Sequence, residues 1–306
     1  MAEPGERIRL LERGATPTLV VAVAGATGVL GRSVVPRLLE DGHRVRALVR
    51  RAEDAARLTR TGSESIRGDL LDPASLPPLV DGADVVLHLA TAIPRDRADR
   101  SGWAANDRVR REGTRNLVAA ATRARVRRYV QQSVTFLYGP GQGLADEDEP
   151  LRPTEILRSA ADMEEAVRAA DLRWCILRGG TFYGPGTGRE EAWLEAARAG
   201  TLRTPGDGTA LVSLVHVADI ARAFVWASES APPGSIFNVV DDVPVRVAVL
   251  HRHVAALVGA ADPPLGGAPE PSRGCTNARL RAASGWRPAY PSYRSGLGEA
   301  GRAHRG

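Results

Sequence analysis

Hydrophobic and polar positions follow two rhythms over the first 180 residues. Short segments at 19–24, 44–49, 65–68, 84–90, 128–133 and 172–178 read as strands, the first of them apolar throughout and buried. Longer segments at 29–40, 52–60, 74–80, 103–121 and 153–170 carry apolar residues at helical spacing. In the longest, Val109, Gly113, Leu117 and Ala121 recur every four residues on one stripe. Strict alternation of strand and helix predicts an α/β fold, a doubly wound parallel sheet with helices on both faces. After residue 180 the rhythm loosens. Pro205-Gly206-Asp207-Gly208, set between apolar runs over 201–215, predicts a hairpin. Helices are expected at 217–227 and 247–258, a strand at 236–240, and a Pro/Gly-rich loop at 262–274. The expected division is a nucleotide-binding-type domain at 18–180 and a smaller mixed lobe at 181–300, some of whose elements return to the main sheet.

Composition narrows the class. With 43% apolar and 25% charged residues the chain is neither disordered nor fibrous. No apolar run approaches about 18 residues, so no membrane span is expected. The first 18 residues mix Glu, Arg and Pro without an apolar core, which argues against secretion and for the cytoplasm. Cys175 and Cys275 make no disulfide framework. The basic residues number 41, and every one is arginine: the chain contains no lysine, so no mechanism that needs one is open to it. The net charge of +5 does not indicate nucleic acid, because the arginines are scattered and offset by 36 acids. No His/Cys/acid cluster has metal-ligand spacing.

The first candidate chemistry lies in Val21-Ala-Val-Ala-Gly25-Ala-Thr27-Gly28-Val29-Leu30-Gly31-Arg32, a strand, a glycine turn and a helix start. Glycines let backbone approach a pyrophosphate, and the helix start offers N–H groups and a positive dipole end. Such a Rossmann unit binds a dinucleotide. An acid at the end of the second strand would select NAD. Here Arg50 and Arg51 follow Leu48-Val49, and with Arg32 they predict charge-assisted bonds to a 2′-phosphate, hence NADP(H).

From Val20 to about residue 298 the chain resembles the extended and atypical short-chain dehydrogenase/reductases of the NAD-dependent epimerase/dehydratase type. The similar segments run in family order: the glycine loop, Gly68-Asp69-Leu70, Leu87-His88-Leu89-Ala90, Glu112-Gly-Thr-Arg-Asn-Leu117, Leu177-Arg-Gly-Gly-Thr-Phe-Tyr-Gly-Pro-Gly186, Val215-His-Val-Ala-Asp219, Phe237-Asn-Val-Val240 and Gly285-Trp-Arg-Pro288. The resemblance implies cofactor contacts at Asp69, Leu70, Leu89, Ala90, Thr91, Gln132, Ser133, Thr181 and Phe182. It also implies a Tyr-x-x-x-Lys acid–base pair assisted by a Ser. Those positions fall on Ile156, Ala160 and Val134, and the family's central-helix Asn falls on Arg110. Ser133 and Thr135 flank Val134 and share a face if the strand continues; they are the remaining candidates for holding a substrate oxygen.

A positioned general acid contributes about 10²–10⁴-fold. A substrate that delocalises charge into an aromatic system can supply that assistance itself. The expected function is reduction of a carbonyl of a bulky aromatic polyketide by NADPH, the proton coming from substrate or water. Two alternatives stand beside it: a non-catalytic NADP(H)-binding sensor, and a redox-neutral epimerase or cyclase. Expected pocket walls are residues 91–94, Thr135, Phe136, Tyr138, Thr181, Phe182, Tyr183 and Trp193. Asp146–Glu149, after a glycine-rich stretch, is expected as a solvated lid. The expected partner is a small molecule, not nucleic acid or membrane. The arginine-rich central helices leave a monomer or a homodimer open.

Overall fold

The computed structural model describes residues 17–94, 101–141, 143–268 and 273–297. Parts of the expected lobe (269–272 and 298–300) and of the expected loop at 262–274 lie outside these. β1 (Val20–Ala24), α1 (Val29–Glu40), β2 (Arg44–Val49), α2 (Ala52–Thr59) and β3 (Glu64–Arg67) follow the sequence pattern closely. The helix expected at 74–80 is divided into a 3₁₀ turn, Pro73–Ser75, and a single turn, α3 (Pro77–Val80). Pro77 and Pro78 lack the N–H groups a continuous helix needs. β4 (Val85–His88) follows. The long central helix is α4 (Trp103–Arg108), a π-turn (Val109–Gly113) and α5 (Thr114–Arg123). β5 (Arg128–Val134) ends in a 3₁₀ turn, Thr135–Tyr138. α6 (Arg158–Arg168) and β6 (Trp174–Gly179) complete the alternating section.

The remaining elements are β7 (Thr181–Tyr183), α7 (Arg189–Arg198), β8 (Leu211–Val212), β9 (Leu214–His216), α8 (Val217–Ser230), β10 (Ser235–Val239), β11 (Val245–Arg246), α9 (Val247–Leu257) and α10 (Ala278–Ser284). Among the described residues β10, β6, β5, β4, β1, β2 and β3 form one seven-stranded parallel sheet in that order. This is the doubly wound α/β fold expected from the alternation. The hairpin expected over 201–215 is absent. β8 pairs instead with the distant β11, antiparallel, and β9 pairs with β7 in parallel. Asp207 closes the Pro-Gly turn locally by accepting from Thr209 N at 2.9 Å, so the turn signal is real but its flanks find other partners.

Each sheet face has its own core. Leu30, Val34, Val35 and Leu38 of α1 and Ile220, Ala221 and Phe224 of α8 cover one face. Leu79 of α3, Leu117 and Ala121 of α5 and Val167 of α6 cover the other. Each fully buried large side chain contributes roughly 1.5–3 kcal/mol. A third cluster, with Leu202, Leu214, Leu250, Val254 and Tyr293, forms the lobe. Asp219, wholly buried in α8, accepts from Ala289 N at 2.8 Å and Tyr290 N at 2.9 Å, tying the C-terminal segment down.

Candidate active site

The chain leaves β1 toward β2 and β3 on one side, then returns to β4 on the other. The crevice beyond the C-terminal ends of β1 and β4 is where open α/β sheets bind ligands. The turn after β1 is built for close approach. Gly25 has φ +94°, and a Cβ there would lie 2.5 Å from Ala90 N. A Cβ on Gly31 would lie 2.2 Å from Gly25 O, so the start of α1 is pressed onto the turn. Gly28 occupies the N-cap, no side chain caps the helix, and its first turn holds no acid. The first N–H groups of α1 are therefore available to an anion, which is the fit a dinucleotide pyrophosphate requires. Thr27 and Val29 are half-buried around the turn, and Leu30 is buried beneath it. On the neighbouring segment Leu89 is buried, Ala90 half-buried and Thr91 exposed.

The three arginines expected around a 2′-phosphate are not equally available. Arg32 donates to Thr27 O at 3.0 Å and Gly186 O at 3.2 Å, bracing the glycine turn to the segment after β7. Arg51 pairs with Asp54 at 3.0 Å and Glu53 at 3.2 Å. Arg50 is exposed and has no such partner among the described residues. Asp69 accepts from Leu71 N at 2.9 Å, and Asn116 Nδ2 holds Leu70 O at 2.8 Å against α5.

Several expected wall residues are committed elsewhere. β5 stops at Val134 and Thr135 opens a 3₁₀ turn, so Ser133 and Thr135 do not continue one strand face as expected. Ser133 Oγ donates to Glu164 Oε1 at 2.6 Å, with both residues buried, which removes it as a donor to substrate. Arg178 clasps the same carboxylate, Nε to Oε1 at 2.9 Å and Nη2 to Oε2 at 2.6 Å, and donates from Nη1 to Tyr138 OH at 2.9 Å. Tyr138 in turn donates to Asn238 Oδ1 at 2.7 Å. It is wholly buried, and burial pushes its hydroxyl up to about 12, so it is neither pocket wall nor acid. Tyr183 is also wholly buried, donating to Asp241 Oδ2 at 3.2 Å. Trp193 packs in the lobe core, edge-on to His251, with Arg189 over its ring. Phe136, Phe182 and Thr91 keep accessible surface; Thr181 and Gln132 are nearly covered, with Gln132 Nε2 on Ser133 O at 2.8 Å.

The positions the resemblance gives to the acid–base pair hold no acid or base. Ile156 lies on a 3₁₀ turn, Glu155–Leu157, and Ala160 is buried in α6. His88 is buried against Thr114 at 3.1 Å; burial lowers it to about 4, leaving it neutral near pH 7. His216 accepts from Ala218 N at 3.2 Å and caps α8. The acids 146–149 are only partly solvated: Asp146 and Asp148 are exposed, Glu149 is half-buried and Glu147 is buried. Glu147 accepts from Asn238 N at 2.7 Å, Glu149 pairs with Arg273 at 2.8 Å, and Asp148 pairs with Arg279 at 2.5 Å. Among the described residues no group of His, Cys, Asp and Glu could hold a metal ion.

Sequence reasoning missed the Glu164–Arg178 pair, whose members lie 14 residues apart on α6 and β6. It also missed two buried acids beside β7. Asp241 is pushed up to about 8 by burial, and Glu190 to about 7 by burial and the neighbouring Glu191.

Sheet order, crevice and uncapped glycine turn define a dinucleotide-binding protein of the Rossmann type. Residues 21–239 match the NAD dependent epimerase/dehydratase family, and the chain belongs to it. It is 39% identical over 305 residues, 91% of this chain and 99% of the other, to a 3-diazoavenalumate denitrifying reductase from a Streptomyces species. It is 30% identical over 234 residues, 74% of this chain and 69% of the other, to a 4-hydroxy-2-methyl-3-oxo-4-farnesyl-3,4-dihydroquinoline-1-oxide ketoreductase from Stigmatella aurantiaca. Among solved structures it is similar to MoeE5 in complex with UDP-glucuronic acid and NAD, with a TM-score of 0.79 and 27% identity over 94% of this chain and 98% of that one. A dTDP-glucose 4,6-dehydratase from Streptomyces venezuelae with NAD bound shares the fold, with a TM-score of 0.82 and 23% identity over 94% and 97% of the two chains. The chain is thus an oxidoreductase that uses a nicotinamide cofactor.

Proposed function

We propose that this chain is an NADPH-dependent reductase that delivers hydride to an electrophilic centre conjugated with an aromatic system, without a Tyr–Lys proton donor. The observation that carries the reading is the pairing of an intact glycine turn with acid–base positions occupied by Ile156 and Ala160 in a chain that has no lysine. When bound, the reduced nicotinamide supplies the hydride. The chain's own residues bind and orient. The start of α1 would hold the pyrophosphate, Arg50 would meet the 2′-phosphate, and the segments after β4 and β6 would line the nicotinamide end of the site. The buried Ser133–Glu164–Arg178–Tyr138 network uses its donors internally and offers none to substrate.

The acceptor expected from the sequence is a carbonyl of a bulky aromatic polyketide, whose neighbouring phenol or delocalised enolate takes the place of a protein acid. A second acceptor is favoured by the relative named a 3-diazoavenalumate denitrifying reductase. A diazo group on a conjugated acceptor leaves as dinitrogen when hydride takes its place, so no oxygen needs a proton. Both acceptors place the electrophilicity in the substrate, which fits a site without acid catalysis. Cofactor oxidation followed spectroscopically, with NADPH and NADH against a panel of polycyclic aromatic ketones and aryl diazo compounds, tests the reading. Faster turnover with NADPH and reduced product from either class supports it. Turnover only of simple aliphatic ketones, which need an acid, sinks it.

A further inference from the structure

The central helix turns a polar stripe, Asn106, Arg110 and Thr114, toward the C-terminal edge of the sheet. Asn106 is wholly buried; its Oδ1 accepts from Ala92 N at 3.0 Å, while Nδ2 has no partner among the described residues. Thr114 meets His88 beneath β4. Between them Arg110 sits in the π-turn, only 5% exposed. Its guanidinium makes one hydrogen bond among the described residues, a long one from Nη1 to Ser159 Oγ at 3.4 Å, and no ion pair. A guanidinium has five N–H donors. Burial lowers Arg110 to about 10, with Asp107 partly opposing the shift, so it stays charged near pH 7. A buried charge is ordinarily paired. The other buried arginine among the described residues, Arg178, is paired with Glu164. Arg110 thus lies between the segment that follows β4 and the first turn of α6, beside the crevice and close to an unfilled amide donor.

Resting on the reductase reading above, we propose that Arg110, with Asn106 beside it, is the anion-binding and specificity-determining residue of the substrate pocket, and that the natural substrate carries a carboxylate or phenolate oxygen. The anion completes the guanidinium's hydrogen bonds and fixes which carbon of the aromatic system faces the cofactor.

Isothermal titration calorimetry on the full chain loaded with NADP+ tests this, using three probes of one shape: a naphthalene carboxylate, the matching naphthol and the neutral carboxamide. The carboxylate or the naphthol should bind about tenfold to a hundredfold tighter than the carboxamide, and which of the two does so separates the two sources of anion. Arg110→Gln should erase that preference while leaving NADP+ affinity unchanged, and Arg110→Lys should keep part of it. A wild-type chain that binds all three probes alike overturns the proposal without any variant, and so does a preference that survives in Arg110→Gln. Hydride transfer is read separately in the wild-type chain. Anion selectivity through Arg110 with no reduction of any acceptor would remove the reductase reading and leave the site. Reduction with no anion selectivity would do the reverse.

Discussion

Replacing Ser133 with Ala separates a structural hydroxyl from a catalytic one. In the native chain its Oγ lies 2.6 Å from Glu164 Oε1, with Ser133 1% and Glu164 0% exposed. A hydrogen bond to a charged group is worth about 1.5–3 kcal/mol. The carboxylate is not stranded by the substitution, because Arg178 still holds Oε1 at 2.9 Å and Oε2 at 2.6 Å. The loss should therefore fall near the lower end, about 1.5 kcal/mol. In a chain of 306 residues that lowers the melting temperature by roughly 3 °C. Catalysis should barely respond. A serine that assisted proton transfer would cost about 10²–10⁴-fold on removal. A serine whose proton is already committed to Glu164 should change kcat/KM by less than about threefold. Calorimetry and steady-state cofactor oxidation with an accepted aromatic substrate read the two effects. An unchanged melting temperature with a hundredfold fall in kcat/KM would refute the reasoning.

Glu164→Ala strands the Arg178 guanidinium, which is 2% exposed, and should cost about 3–5 kcal/mol in urea unfolding; a loss below about 1 kcal/mol contradicts a fully desolvated pair. Gly25→Ala places a Cβ 2.5 Å from Ala90 N at φ +94° and should weaken NADPH binding by at least about tenfold in a fluorescence titration, while unchanged affinity would mean the turn is not the pyrophosphate site. Arg50→Ala should raise the Kd for NADPH by about tenfold and leave that for NADH unaltered, and equal effects on both would remove Arg50 from the 2′-phosphate. Asp241 is raised from 3.8 to about 8. The native chain then holds a proton that the unfolded chain releases above about pH 4, so the stability it contributes is full below that and is lost as pH rises toward 8. Asp241→Asn should therefore flatten the fall in melting temperature over that range, and a slope equal to wild type would show that the carboxyl is ionised throughout.

What could be read from the sequence and what could not divide along physical lines. The central strands of the main sheet are buried on both faces and the helices on one, so apolar periodicity marked most of them, and β1, α1 and β2 fall where expected to within a residue. The glycine turn was legible because close backbone approach restricts the residue type. β8 and β9 were not legible as pairs, because each is two or three residues long and finds its partner far along the chain, in β11 and β7. The Pro-Gly turn that suggested a hairpin records only local backbone geometry. Ser133 looked like a substrate donor because strand alternation says which face a side chain takes, not what waits there; what waits is Glu164, 31 residues on. Tyr138 and Tyr183 illustrate the same limit: a tyrosine beside the expected pocket reads alike whether its hydroxyl meets ligand or, as here, a buried Asn or Asp. Arg110 had a signal in sequence, an arginine where the resemblance expects an amide, but its burial and its position in a π-turn came only with the fold.

The central claim is hydride transfer to an aromatic-conjugated acceptor. Incubation of the chain with NADPH deuterated at both C4 positions, and with polycyclic aromatic ketones and aryl diazo compounds, tests it by mass spectrometry and NMR of the products. The account predicts one deuterium per product, on the former carbonyl carbon or on the carbon that lost dinitrogen, with a single stereochemical outcome wherever a stereocentre forms. NADPH that binds with full affinity while no product of either class carries deuterium would contradict it.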